Sequence, residues 1–140
     1  MRISSIAIAL SVTIGPAFLM PLLITAAQAV PDQPAMIGGV ETVCTGVGSA
    51  KDNPAWSAYP VKLVFANAAG QNLAQVHVAV LQGAKAVVET DCDAPWVLMK
   101  LPAGSYSVAA TVGARSGKAN FTTKGGAQQT VTVMLPAASQ

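Results

Sequence analysis

Gln75-Val76-His77-Val78-Ala79-Val80 is the segment that decides the fold class. Valine recurs at every second position, and Gln75, His77 and Ala79 take the places between. A period of two belongs to a strand buried on one side, whereas a helix would return its apolar residues after three and four positions. Branching at Cβ adds to the preference, because valine fits a pleated, half-buried surface. Turn-forming residues flank the run, with Asn67-Ala68-Ala69-Gly70 before it and Gln82-Gly83 after it.

Outward from this strand the same pattern repeats. Residues 61–66 form a Val-rich run that includes Phe65, residues 86–90 resume after Gln82-Gly83, and residues 96–101 are apolar up to Pro102-Ala103-Gly104. Residues 105–112 and 118–123 follow, divided by a reversal between Gly113 and Gly117. After Lys124-Gly125-Gly126, residues 129–135 place Val131, Val133 and Leu135 on one side and Thr130, Thr132 and Met134 on the other. Seven short strands with Gly or Pro between them predict an all-β chain, a seven-stranded antiparallel β-sandwich over residues 59–136. A chain of 140 residues accommodates one such domain. Residues 30–58 read as a flexible leader followed by an irregular segment, in which Asn53-Pro54 can cap and start a short helical turn that Pro60 ends. Residues 137–140 are a tail.

Residues 1–29 carry Arg2, an apolar run over 6–23 and then Ala27-Gln28-Ala29. This is the layout of a secretory signal peptide cleaved after Ala29. Pro16 and Pro21 interrupt the run and no basic cluster follows it, so no stable membrane insertion is expected after cleavage. Of eight Lys and Arg residues the cleaved chain keeps seven, against six Asp and Glu, a net charge of +1. That balance argues against nucleic acid or an anionic membrane as partner. Export places Cys44 and Cys92 where thiols oxidise, so one disulfide is expected. They lack the C-x-x-C spacing of a redox pair and, with one histidine in the chain, the ligands of a structural zinc site.

Four segments carry a resemblance. They are Tyr59-Pro60-Val61-Lys62-Leu63-Val64-Phe65, the Gly70 to Ala74 turn, Cys92-Asp93-Ala94-Pro95-Trp96 and above all Leu101-Pro102-Ala103-Gly104-Ser105-Tyr106. Together they resemble the exported bacterial proteins with a carboxypeptidase regulatory-like domain, within the wider transthyretin-like (prealbumin-like) sandwiches. The resemblance covers about residues 59–136 and implies a seven-stranded sandwich that accompanies or decorates other proteins; it does not imply peptidase activity, since in carboxypeptidases such a domain is an accessory and the zinc and catalytic groups lie elsewhere. Hydroxyisourate hydrolases of the transthyretin-like group depend on several histidines and a C-terminal Tyr-Arg-Gly-Ser, whereas this chain has one histidine and ends Ala137-Ala138-Ser139-Gln140.

Few residues offer chemistry. His77 is expected on the solvent side of its strand, with no neighbour in sequence to orient it as a base. Glu89, Asp91 and Asp93, spaced by two, could collect a cation along one strand face, but charged strand edges more often prevent sheets from associating. Trp56, Tyr59, Trp96 and Tyr106 are the candidate binding aromatics. Trp96 is expected in the core beside Cys92, and Trp56, outside the strands, is the better candidate for an exposed platform. Arg115, Lys118 and Lys124 read as a solvated rim. No nucleophile motif or phosphate-binding glycine loop occurs. No cofactor is therefore expected. These readings lead to a non-enzymatic, periplasmic or secreted binding or adaptor domain acting through a sheet edge or the loops at one end, with an envelope protein or a polysaccharide as partner. A carbohydrate or cell-wall module built on Trp56 is the alternative, and a small hydrolase around His77 the third.

Overall fold

A computed structural model describes residues 30–136 and the single residue Gly15. Apart from Gly15, the proposed signal segment lies outside the described residues, as does the tail. Nine strands form: β1 Ala35–Ile37, β2 Val40–Thr45, β3 Val61–Asn67, β4 Val76–Gln82, β5 Lys85–Cys92, β6 Trp96–Met99, β7 Gly104–Val112, β8 Arg115–Thr123 and β9 Gln129–Leu135. They make two sheets, one in the order β1-β2-β6-β3-β9 and one in the order β5-β4-β7-β8.

The alternation read from the sequence is what packs these sheets together. Val76, Val78 and Val80 are fully buried, and Leu63, Phe65, Val97, Val133 and Leu135 meet them from the other sheet. Cys44 on β2 and Cys92 on β5 are joined across the core, with Cα atoms 5.7 Å apart. One covalent link thus ties the two sheets.

Three features differ from the sequence reading. Among the described residues there are nine strands rather than seven, because β1 and β2 lie in the stretch expected to be irregular. Ile37 pairs with Val40 across Gly38 and Gly39, both at positive φ. Two consecutive residues at positive φ make the tight hairpin turn that suits strand twist, and glycine reaches it without steric cost. Second, the sandwich is not purely antiparallel, since β3 and β9 pair in parallel from Val61 with Gln129 to Asn67 with Leu135. Third, β2 buries both of its faces, Val40 and Cys44 toward the core and Val43 toward a second cluster with Leu98, Trp56 and Tyr59.

Two consecutive 3-10 turns, Gly48–Asp52 and Pro54–Ala58, hold that second cluster onto the outer face of the five-stranded sheet. Asn53 separates them as expected of a cap, its side-chain oxygen accepting from the Ala55 N–H at 2.9 Å, with Pro54 next. The leader is anchored as well: the Asp32 N–H donates to the Cys44 carbonyl at 2.7 Å, and the Thr45 hydroxyl to the Asp32 carboxylate at 2.6 Å.

Candidate functional site

The two tryptophans depart from the roles expected of them. Trp56 is buried, 7% exposed, with its indole N–H donating to the Ala50 carbonyl at 2.7 Å and its ring edge-on to Tyr59 at 6.1 Å. It anchors the 3-10 turns and offers no platform to a ligand. Trp96 is the half-buried one. The backbone of Gly46 lies against its ring, so close that a Cβ there would sit 2.7 Å from the indole. On the same ring system the Lys62 ammonium stands 3.4 Å from the centroid. Such a cation–π contact is favourable where it is partly desolvated, and burial lowers the Lys62 pKa. Lys62 and Trp96 share a small cleft of about 200 Å³ with Trp56, Asn53 and Gln128. Gly46 and Lys62 thus both lie against the half-buried Trp96 ring and take part of the surface that a sugar ring would need.

Tyr59 is buried beneath Lys100, whose ammonium lies 5.0 Å from the ring centroid and pairs with the Glu41 carboxylate. The hydrogen bond from Lys100 holds the Glu41 pKa below its ordinary value. Burial, with the Glu41 charge adding to it, pushes the Tyr59 hydroxyl up.

His77 lies on the solvent side of β4, as its alternation requires, yet it has partners. Asp91, its register neighbour on β5, approaches Nδ1 at 2.6 Å, and Glu89 approaches Nε2 at 3.1 Å. Strand pairing supplied what the neighbouring sequence could not, since these residues are 14 and 12 positions away. The Asp91 hydrogen bond is the main reason the His77 pKa is raised, Glu89 contributes in the same direction, and burial opposes both. An imidazole bracketed by carboxylates favours its doubly protonated form, in which both nitrogens donate and neither has a lone pair to take a proton. Asp93 lies beyond the end of β5 and is exposed. Because the ring separates Glu89 from Asp91, these carboxylates do not converge, and among the described residues no group of three or more His, Cys, Asp or Glu side chains could hold a metal ion.

Tyr106 leads to the site that the sequence does not reveal. Its hydroxyl donates to the Pro102 carbonyl at 2.7 Å and its ring stacks on Phe121 with centroids 5.6 Å apart. A tyrosine fastened to backbone a few residues upstream fixes the path of a sandwich corner. Beside it a cavity of about 650 Å³ opens between the sheets at one end of the sandwich. Val40, Val87, Leu101, Pro60, Pro102 and the Tyr106 ring form apolar walls, the Gly38-Gly39 turn and Gly126 contribute backbone, and Gln82 and Lys100 are its long polar side chains. Five separate segments converge there. No family model matches the chain, and no curated protein matches it.

Proposed function

We propose that this chain is a non-enzymatic, exported binding domain that holds an apolar group of its partner or ligand in the cavity at the loop end of the sandwich. The observation that carries this reading is the cavity itself: a concave volume, somewhat more apolar than polar in its lining, with Gln82 and Lys100 as its long polar side chains, within the size range of small-molecule sites. Its walls are presented by loops on a disulfide-tied scaffold, the usual division between function and framework. The bracketed His77 supports a non-enzymatic role, because both of its ring nitrogens are already engaged by carboxylates of its own sheet and neither is left facing a substrate. Export, to the periplasm or beyond, is supported by the residue 1–29 pattern and by the disulfide. No helix among the described residues is long and apolar enough to cross a membrane. The transthyretin-like assignment rests on the Leu101 to Tyr106 sequence, which here crosses from β6 of one sheet to β7 of the other, and the accessory role it implies fits a domain that binds rather than reacts.

The test uses N-phenylnaphthylamine, an uncharged apolar probe whose fluorescence rises on leaving water. Saturable binding is expected at one site per chain, and Val87→Arg, which places a long charged side chain at the cavity wall, should abolish it. Absence of saturable binding to the folded wild type, or equal binding by a folded Val87→Arg variant, would overturn the reading.

A further inference from the structure

Across the outer face of the four-stranded sheet, one register row reads Glu89, Ala79, Ala109, Lys118 from β5 to β8. The next row reads Asp91, His77, Thr111, Ser116. Acid therefore lies at one side of this face and base at the other, with small side chains between them. Most exposed antiparallel faces carry polar side chains to meet water. Here the two central strands present Ala79, Leu81, Ser107, Ala109 and Thr111, with His77 as their sole titratable group.

A two-fold axis parallel to the strands, between β4 and β7, would place one copy's β5 over β8 of the other. Each row then faces itself reversed: Glu89 meets Lys118, Ala79 meets Ala109, and both contacts occur twice. Self-complementarity of this kind is what an isologous dimer requires. We propose that the outer face of the β5-β4-β7-β8 sheet pairs with the same face of a second copy of this chain, with Glu89 and Lys118 setting the register.

The central alanines let the sheets approach closely, in the nearly aligned manner of face-to-face sheet packing. Four strands at ordinary spacing give a patch of about 19 Å by 27 Å, or about 500 Å² per copy. Twice that area, about 1,000 Å², lies at the lower limit of specific interfaces, so the dimer is weak and reversible. The contact leaves the loop-end cavity free, because that cavity opens between the sheets and not on this outer face.

Sedimentation velocity over a concentration series tests the pairing. Wild type should show a concentration-dependent monomer–dimer equilibrium that weakens as salt is added. Glu89→Lys alone and Lys118→Glu alone each set like charges against one another twice, and each should weaken dimerisation by about tenfold or more. An equimolar mixture of the two variants should restore the dimer, because every mixed pair is again Lys opposite Glu. That rescue cannot come from misfolding, which would impair the mixture as much as its components. Ala109→Arg, which wedges the centre, should leave the domain folded by circular dichroism and monomeric. A wild type that stays monomeric throughout overturns the proposal. So does a dimer that survives both charge reversals, or a mixture that fails to re-form it.

Discussion

Replacing Trp56 by alanine separates a structural from a ligand-binding tryptophan. The ring is 7% exposed and packs with Val43, Tyr59 and Leu98 beneath the 3-10 turns. A tryptophan buries about 200 Å², which at about 25 cal/mol per Å² is about 5 kcal/mol as an upper estimate. The bond from its indole N–H to the Ala50 carbonyl contributes about 1 kcal/mol more. Against this, the 3-10 turns can partly collapse into the vacated space, which places the expected loss at about 4 kcal/mol, inside the usual range for truncating a buried tryptophan. Urea unfolding with the disulfide intact measures it. Trp56→Phe, which keeps a ring in place and removes the N–H, should lose about 1–2 kcal/mol. Amide exchange in residues 48–59 should accelerate in Trp56→Ala, since the side chain holds that segment to the sheet. A loss below about 1 kcal/mol with an unchanged denaturant slope would refute the core assignment and return Trp56 to the list of surface candidates.

Two further outcomes follow from the bonding. The Cys44–Cys92 link spans 48 positions, so the Cys44→Ala, Cys92→Ala double variant should lose about 4 kcal/mol in the chain-entropy description; denaturant unfolding reads the loss, and a value near zero would contradict it. The His77 imidazole should titrate by NMR above the ordinary histidine pKa of 6.5, and Asp91→Asn should bring it down toward that value. Because the folded-state pKa is raised, the stability this contact contributes is fully present below the unfolded pKa and is lost as pH rises through the folded one. A midpoint at or below the ordinary value would rule the bracketing out.

From residue 61 onward the strands were legible, most of them because one face is covered and period two survives, and β6, buried on both faces, because its apolar run is continuous and bounded by Pro95 and Pro102. Val76, Val78 and Val80 show it most clearly. β2 was not legible for the opposite reason. Its Val40, Val43 and Cys44 serve two different apolar clusters on opposite faces, which erases the alternation, and the glycines at both ends suggested loop. The tryptophans were misjudged because distance from a strand says nothing about what covers a side chain: Trp56 stands outside every strand and is buried, whereas Trp96 begins a strand and stays half open. The Asp91 and Glu89 partners of His77 depended on the β4–β5 register. A hairpin was foreseen there, but not which residues would stand opposite each other.

The parallel pairing of β3 and β9 explains why a cavity forms at one end. Because these neighbours run in the same direction, the residues that precede both strands, Pro60 before β3 and Gly126 before β9, emerge at the same end of the sheet. Had β9 returned antiparallel to β3, the start of β9 and the loop before it would lie at the opposite end. β2 also starts at that end and β6 finishes there, which brings Val40, Leu101 and Pro102 to the same rim. From the facing sheet the end of β4 contributes Gln82, the start of β5 Val87 and the start of β7 Tyr106. Proline and glycine are common among these rim residues, and both are small; a rim of long side chains would fold inward and fill the space between the sheets. The volume left open is thus a consequence of strand direction combined with turn composition. Direction was the part missing from a reading that took every strand pair as antiparallel.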